Sequence, residues 1–263
     1  MRRRLDAELV RRGLAASRTE AAEAIRGGHV TVRGSQAEKA STLVAADEPV
    51  ALTASPRRFA SRGGEKLDAA LNRFGVDVRG RGCLDAGAST GGSTDCLLRR
   101  GAADVIAVDV GYGQLAWELR NDPRVVVLER TNVRDLEAAT LPFRPSFVAA
   151  DLSFISLRLV LAPLADAAEI QAEFVLLVKP QFEAGRDHVG SGGVVRDPGV
   201  WRRVIDDVAE ACRQVGLPPR GVMCSPLLGP AGNAEFLLHA VRGAESGELG
   251  VDAAIDAAKE LVR

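Results

Sequence analysis

Short apolar runs that begin with, end in or directly precede a charged residue recur along the second part of the chain. Runs of this length are typical of buried strands, and helical spacing of the apolar positions between them indicates amphipathic helices. The runs occupy residues 83–85, 104–109, 125–129, 147–151, 174–178 and 235–241. Helices are predicted from Leu67 to Phe74 and from Thr94 to Arg100. Strands that alternate with helices predict an α/β domain.

The first 60 residues follow a different pattern. Apolar residues recur at helical spacing from Leu5 onwards, and the segment stops at Gly13, a residue that suits the end of a helix. Ser17 and Glu20 have the spacing of a capping box, which predicts the start of a second helix. Alternating residues over 29–34 then predict a strand.

A polar, turn-rich stretch from Pro49 to Gly64 predicts the boundary between two domains. We predict a small domain over residues 1–60, a linker over residues 61–65 and a larger domain over residues 66–263. Residues 1–62 hold 12 Lys and Arg against 7 Asp and Glu, whereas the remaining residues hold 22 against 28. A small basic domain favours a polyanionic partner, although a solvated basic face would give the same count.

Composition excludes several classes of protein. A length of 263 residues with 46% hydrophobic residues is enough for one large domain and a small one. No apolar run is long enough to predict a membrane span, and the start of the chain lacks the apolar segment of a secretory signal. The 4 cysteines lack C-x-x-C spacing, so no metal site or disulfide is expected, and the expected location is cytoplasmic.

The most informative stretch reads Cys-Leu-Asp-Ala-Gly-Ala-Ser-Thr-Gly-Gly over residues 83–92. Glycines in a turn between a strand and a helix let a ligand approach the backbone. A dinucleotide fingerprint requires glycine where Ser89 stands, and a triphosphate loop requires lysine where Ser93 stands. Asp85 followed by small residues instead favours a ligand with an ammonium and a carboxylate, and S-adenosylmethionine is the leading candidate. An ordinary turn of an α/β protein is the alternative.

Two later strand ends favour the same ligand. Asp109 ends the second strand, where a nucleoside site binds the ribose hydroxyls of its ligand. Asn132 follows the third strand and is expected at the edge of the adenine. The complete set of expected cofactor-binding residues is Asp85, Gly87, Ser89, Thr90, Gly91, Gly92, Asp109, Asn132 and Asp151.

Asp151 and Lys179 end two further apolar runs. Ligands in open α/β sheets bind at the carboxyl ends of the strands, so both side chains are expected near the methyl donor. A lysine directly after five apolar residues is unusual, because lysine is seldom buried without a role. A salt bridge that caps the sheet is the structural alternative for Lys179.

The N-terminal region resembles the RNA-binding domain named after ribosomal protein S4. The resemblance rests on Arg-Leu-Asp at residues 4–6, Gly-Leu-Ala at 13–15, Ser-Arg at 17–18 and Val-x-Val-x-Gly at 30–34. It implies two helices that present arginines to structured RNA. Arg4, Arg18 and either Arg11 or Arg12 are the candidate phosphate contacts, with solvated arginines as the alternative.

Nearly the whole chain resembles the TlyA family of ribosomal RNA 2′-O-ribose methyltransferases, within the wider FtsJ-like group. The most specific matches occupy residues 61–67, 84–92, 109–117, 150–156, 178–183 and 232–236. The resemblance implies a Rossmann-like class I methyltransferase domain with a small α+β RNA-binding domain before it. In such a domain the sheet is mostly parallel and seven-stranded, with the last strand antiparallel.

The same resemblance implies the catalytic residues and the substrate. Carried over, the Lys-Asp-Lys-Glu tetrad of the family becomes Lys66, Asp151, Lys179 and Glu235. The implied reaction uses S-adenosylmethionine to methylate cytidine in small- and large-subunit rRNA, either as free RNA or in ribosomal subunits. One departure is Phe59, near which a tryptophan is expected, and this puts a contribution of the linker to ligand binding in doubt.

The chemistry of methylation assigns roles within the tetrad. The 2′-hydroxyl must lose a proton during its attack on the methyl group, while the leaving thioether is neutral, so one general base and accurate positioning are sufficient. We assign Lys179 as the base and Asp151 as the group that orients it. Lys66 and Glu235 are expected to position the ribose.

Two alternatives belong to other functional classes. Some members of the family carry a haemolysin label, which would require a membrane-active protein. The chain shows neither a predicted span nor a strongly amphipathic membrane helix in support. A non-catalytic RNA-binding factor with an inactive methyltransferase fold is the second alternative, and the intact tetrad counts against it.

Overall fold

The computed structural model describes residues 2–26, 28–52 and 58–263. The chain divides into two compact units, Met1–Arg57 and Arg58–Arg263. Residues 53–57, part of the predicted boundary stretch, lie outside the described residues.

The structure differs from the predicted linker over residues 61–65. Residues 62–65 form the first turn of helix Arg62–Phe74, and Ser61 precedes it in an extended conformation. Glycines at positions 63 and 64 suggested a turn, but in the structure they allow close packing. A Cβ on Gly64 would lie only 2.6 Å from the carbonyl oxygen of Gly92, so the helix can begin here only without that side chain.

The first unit contains two helices and short antiparallel strands. Its elements are β1 (Arg2–Arg4), α1 (Leu5–Arg11), α2 (Arg18–Arg26), β2 (Val30–Val32), β3 (Ser35–Gln36), β4 (Leu43–Ala45) and β5 (Val50–Leu52). Strand β1 pairs with β4, and β2 pairs with both β3 and β5. Leu5 and Leu9 of α1 pack with Ala21 and Ile25 of α2 in a small core that also includes Val44.

Ser17 caps the start of α2 as predicted, and the Glu20 side chain reaches back one residue further than in a standard capping box. The Ser17 hydroxyl accepts a hydrogen bond from the Glu20 amide at 3.1 Å. The Glu20 carboxylate accepts one from the Ala16 amide at 2.7 Å. Gly13 follows α1 with a φ of +71°, as expected for a residue that ends a helix.

The second unit is a sheet covered by helices. Its elements are α3 (Arg62–Phe74), β6 (Gly82–Ala86), α4 (Gly92–Arg99), β7 (Asp104–Val108), α5 (Trp117–Arg120), β8 (Val125–Leu128), β9 (Phe147–Ala150), α6 (Leu161–Ala167), β10 (Glu173–Val178), α7 (Pro180–Glu183), α8 (Pro198–Gln214), β11 (Pro219–Cys224), β12 (Phe236–Val241) and α9 (Val251–Leu261). Within residues 58–263 the sheet has 7 strands in the order β11-β12-β10-β9-β6-β7-β8. Strand β12 runs antiparallel to both of its neighbours, and the other pairs are parallel.

Alternate strand residues face opposite sides of this sheet. On one face Leu84 and Leu176 pack in the cluster that contains Trp201 of α8. On the other face Cys83 and Val175 pack in the cluster formed with α3 and α4. The fold is therefore a layered α/β arrangement, as predicted, and its buried sheet holds the strand ends in a fixed order.

No helix in the described ranges is long and apolar enough to cross a membrane.

Candidate active site

Polar and charged side chains line one edge of the sheet, strand by strand. Glu235 directly precedes β12, and Lys179 directly follows β10, next to the register pair Val178 and Phe236. Asp151 follows β9, and Asp109 follows β7. Because neighbouring strands lie about 4.8 Å apart, this order brings the side chains into one continuous row.

The glycine-rich turn completes the row at the end of β6. Gly87 has a φ of +88°, and a Cβ at this position would collide with the carbonyl oxygen of Asp151. Gly91, at the start of α4, has a φ of +96°. Ser89 and Thr90 between these glycines are exposed. The turn therefore packs closely against Asp151 at Gly87 and exposes Ser89 and Thr90 to solvent.

Asp85 is buried under this turn. Its Oδ2 accepts a hydrogen bond from the Thr94 hydroxyl at 2.7 Å. Its Oδ1 is buried and has no hydrogen-bond partner among the described residues. Burial raises the pKa of this carboxyl to about 7, the Thr94 hydrogen bond opposes the shift, and the nearby Asp151 carboxylate adds to it.

Asp109 and Asn132 both bind backbone amides. The two Asp109 oxygens accept hydrogen bonds from Ser89 at 2.8 Å and from Gly111 at 2.7 Å. Asp109 thus ties the glycine-rich turn to the loop that follows β7. The Asn132 Oδ1 accepts a hydrogen bond from the Arg134 amide at 3.1 Å and begins a 3-10 turn.

The four tetrad residues form two ion pairs. Lys179 Nζ lies 2.6 Å from Asp151 Oδ1 and also donates to the Ser153 hydroxyl at 3.0 Å. Lys66 Nζ donates to Glu235 Oε2. The positive and negative charges are therefore balanced within the site.

The two pairs differ in their access to solvent. The Asp151 side chain is 28% exposed, whereas the Glu235 side chain is 1% exposed. Both lysines are largely buried, so Asp151 is the member of the two pairs that a substrate can reach. The Lys66–Glu235 pair lies underneath, where an isolated charge would be costly without its partner.

Helix α3 carries Lys66 to the site through its first turn. A Cβ on Gly63 would lie 3.5 Å from Asp151 Oδ2, so this turn approaches the Lys179–Asp151 ion pair. Lys66 lies three residues further along the same side of the helix. The residues expected to form a linker thus lie against the site, in the same helix as Lys66.

The N-terminal arginines that were expected to contact phosphate are ion-paired within their own unit. Arg4 and Arg18 both pair with the buried Asp6, at 3.0 and 2.9 Å. Arg11 pairs with the buried Glu8 at 2.5 Å. The side chains of these arginines remain 48%, 60% and 46% exposed, so pairing leaves their outer surfaces accessible.

Arg12, the alternative to Arg11, has a different environment. It pairs with Glu8 and donates to the carbonyl oxygens of Glu48, Ala45 and Ala46. Its side chain is only 20% exposed. This geometry gives Arg12 a structural role, so Arg11 is the better candidate for a phosphate contact.

Two site residues were not predicted from the sequence. Thr94 supplies the hydrogen bond to Asp85, and Ser153 supplies the hydroxyl that accepts from Lys179. Ser153 stands two residues after Asp151, so its position past a strand end was a usable signal. Thr94 lies on α4, and its contact with β6 depends on how the helix packs.

Family profiles match both units of the chain. The profile of the FtsJ-like methyltransferases matches residues 59–242, and that of the S4 domain matches residues 3–50.

Individual relatives agree with these matches. A Mycobacterium tuberculosis protein named 16S/23S rRNA (cytidine-2′-O)-methyltransferase TlyA is 55% identical over 240 residues, 90% of this chain and 89% of that protein. Hemolysin A of Brachyspira hyodysenteriae is 37% identical and aligns over 90% of this chain and 98% of its own length. A solved Streptococcus thermophilus structure that also bears the hemolysin name superposes with a TM-score of 0.81 at 35% identity, over 99% of this chain and 96% of that one. The chain therefore belongs to the FtsJ-like methyltransferase family, in the group that contains TlyA, and is a methyltransferase with an N-terminal S4 domain.

Proposed function

We propose that this enzyme transfers a methyl group from S-adenosylmethionine to the ribose 2′-oxygen of cytidine in ribosomal RNA. The observation that carries the proposal is the Lys179–Asp151 ion pair, whose carboxylate is partly exposed and which adjoins the glycine-rich turn over Asp85. The name and 55% identity of the Mycobacterium tuberculosis relative support the choice of substrate.

The residues around the turn fit S-adenosylmethionine. The unpartnered Oδ1 of Asp85 is a buried acceptor, which suits the ammonium group of the methionine end. Gly87 and Gly91 allow the turn to pack closely against Asp151 and Leu119, and the turn leaves Ser89 and Thr90 exposed. Asp109 stands where a nucleoside ligand presents its ribose hydroxyls. When bound, the cofactor supplies a methyl group on a positively charged sulfur.

The protein's part in the reaction is to position the ribose and to take up one proton. A bond forms between the 2′-oxygen and the methyl carbon while the bond from that carbon to sulfur breaks. Lys179 Nζ first releases one proton to solvent, and the uncharged amine then takes up the hydroxyl proton. Asp151 and Ser153 fix the direction of this nitrogen, because both lie within 3.0 Å of it.

Lys66 and Glu235 have a supporting role in this proposal. Their buried pair packs beneath the reacting groups and fixes the start of α3 relative to β12. We propose that Lys66 positions the ribose and that the Glu235 carboxylate balances the positive charge of Lys66. Accurate placement of two reactants is itself a large part of the rate gain in such a transfer.

We further propose that the N-terminal unit binds ribosomal RNA, either free or within ribosomal subunits. Arg4, Arg11 and Arg18 each keep about half of their side-chain surface exposed. Arg4 and Arg18 share one carboxylate, so one positive charge remains for a phosphate. The match of residues 3–50 to the S4 domain supports this role.

The activity is tested with purified protein, S-adenosylmethionine labelled in its methyl group, and separate preparations of free rRNA and ribosomal subunits. We expect label in rRNA of at least one preparation and none in DNA of matched length. Label that stays in the unreacted cofactor with every RNA preparation would contradict the proposal.

Replacing Asp109 with alanine should weaken S-adenosylmethionine binding by about 1–3 kcal/mol, because hydrogen bonds to a charged group are lost. The substitution also removes the bonds to the Ser89 and Gly111 amides, which order the two loops around the ligand. Calorimetric titration measures the effect. Asp207→Ala, at an exposed position on α8, is the matched control and should bind normally. Unchanged affinity in a folded Asp109→Ala protein would remove Asp109 from the site.

Cofactor affinity should rise with pH up to about pH 7. Asp85 has a pKa raised to about 7, so below this pH its proton must leave before the carboxylate can bind an ammonium. We expect affinity to fall by up to about tenfold per pH unit below that value, with a proton released on binding. Calorimetry between pH 5.5 and 7, in buffers of different ionisation enthalpy, measures both effects.

The Asp85→Asn variant provides the control for this dependence. It should bind more weakly and lose the proton release. Proton release that persists in the variant would assign the titration to another group.

A further inference from the structure

A cavity lies next to the segments that follow Asp151 and Lys179. It has a volume of about 500 Å³ and is lined by Phe154 and Ile155 after β9 and by Gln181 and Phe182 of α7. This volume is in the range of small-molecule sites, about 300–1,000 Å³. The Phe182 ring centre lies 5.9 Å from Lys179 Nζ, so one wall of the cavity is close to the proposed base.

The walls of the cavity are mainly apolar, and its two polar side chains differ in what they bind. Ser156 Oγ is already engaged with Glu183 Oε2 at 2.5 Å. The Gln181 amide has no hydrogen-bond partner in the part of the chain that the structure describes, and its Oε1 is buried. Gln181 is therefore the polar group of this cavity that is left to bind a ligand.

An unpaired buried amide oxygen is costly. Burial without a partner costs the oxygen its hydration, and the large majority of buried polar groups in native proteins are paired. The buried oxygen does not face the cavity in this structure, so a ligand reaches it only after the amide rotates about its final torsion, which is broad for glutamine. Gln181 Oε1 is a hydrogen-bond acceptor, so a ligand that pairs with it must carry a hydrogen-bond donor.

The proposed function identifies what enters the cavity, and the following inference rests on it. With the 2′-hydroxyl at Lys179 Nζ, the base is attached to the neighbouring ribose carbon and projects beyond the reacting groups. Cytosine carries an exocyclic amine, which is a donor, whereas uracil carries a carbonyl at the same position. We propose that Gln181 recognises the target base by accepting a hydrogen bond from the exocyclic amine of cytosine.

This contact makes Gln181 a positioning and specificity residue. It does not touch the methyl group or the proton that is transferred. It holds the base so that the 2′-hydroxyl lies against Lys179. It disfavours uridine, because the uracil carbonyl and the Gln181 oxygen are both hydrogen-bond acceptors and cannot pair. Loss of the contact should therefore slow transfer to cytidine and reduce the preference over a base that lacks the amine.

The test combines one protein change with one change in the RNA. Wild-type enzyme and Gln181→Leu are compared on RNA with cytidine at the mapped target position and on RNA with the pyrimidin-2-one ribonucleotide, which lacks only the amine. We expect kcat/KM of the wild type to fall about tenfold on the second RNA, the size of one lost hydrogen bond with an unpaired partner. Gln181→Leu should show a similar loss on cytidine and no further loss on the analogue.

Two controls accompany these four measurements. Gln214→Leu, the same substitution at an exposed position of α8, should behave like the wild type on both RNAs. S-adenosylmethionine affinity of Gln181→Leu should be unchanged, which confirms that the variant is folded.

The outcomes separate the inference from the proposed function. If the losses from the variant and from the analogue add, Gln181 does not contact the amine. Equal transfer by the wild type to both RNAs also overturns the inference, and this comparison requires no variant to fold. Absence of transfer to the cytidine RNA by the wild type would overturn the proposed function and this inference with it.

Discussion

The Lys179→Ala variant should lose methyl transfer by about 10²-fold or more while it keeps its affinity for S-adenosylmethionine and RNA, because removal of a general base typically costs 10²–10⁴-fold. The alanine also leaves Asp151 without the ammonium that lies 2.6 Å from it. Single-turnover transfer measures the rate, and equilibrium titrations with cofactor and with RNA measure the two affinities.

Lys259→Ala is the matched control for this loss. Lys259 lies near the end of α9 and pairs with Asp256 at a half-exposed position, so its removal should not change the transfer rate. Turnover of Lys179→Ala within a few-fold of the parent would show that Lys179 only caps the sheet as a salt bridge.

A protein that consists of residues 58–263 should bind S-adenosylmethionine like the full chain but should lose tight rRNA binding and, with it, most of its activity. This part contains all the proposed cofactor and tetrad residues and forms one compact unit. It lacks the arginines of the S4 domain, whose phosphate contacts are expected to supply most of the RNA affinity. Binding titrations with cofactor and with rRNA measure the two effects separately.

A salt series extends this test within the full chain. RNA affinity should fall steeply as salt rises, and Arg18→Ala should lower the slope of log affinity against log salt by about one. Arg4 still pairs with Asp6 in this variant, so the unit keeps a partner for its buried carboxylate. Arg213→Ala, on α8 of the other unit, should leave the slope unchanged. A shortened protein that binds and methylates rRNA like the full chain would show that the basic N-terminal surface is only solvated.

The sequence predicted the strands of the sheet and the acids at their ends because both are local patterns. Continuous apolar runs identified β6, β7, β8, β9, β10 and β12. Strand β11 was not identified from the pattern, since Gly221 interrupts it and its residues alternate between buried and partly exposed. The register of these strands explains why Asp151, Lys179 and Glu235 meet, since each stands next to a paired strand end.

Which charged side chains form ion pairs was harder to predict from the sequence. Lys66 and Glu235 are 169 residues apart, and their contact depends on the packing of α3 beside β12. In the N-terminal unit, Asp6 and Glu8 are buried, whereas acids in the first turn of a short helix usually face solvent. Their burial makes four arginines part of the local structure, which a count of charges does not reveal.

The sequence also did not reveal that the Gln181 side-chain oxygen lacks a hydrogen-bond partner. Its position after Lys179 and Pro180 placed it near the strand end, but whether an amide finds a partner depends on every element around it. The structure shows that the Gln181 oxygen lacks a hydrogen-bond partner. Because this oxygen is an acceptor, the proposed ligand must carry a hydrogen-bond donor.

The measurement that tests the proposed function most directly is the mapping of methyl groups on rRNA by mass spectrometry. The rRNA is taken from cells that carry the intact gene, the Lys179→Ala gene or no copy. We expect 2′-O-methylcytidine at one or more defined positions with the intact gene, and unmodified cytidine at the same positions in the other two. Identical modification in all three, or a methyl group found on a base instead of the ribose oxygen, would contradict the proposed reaction.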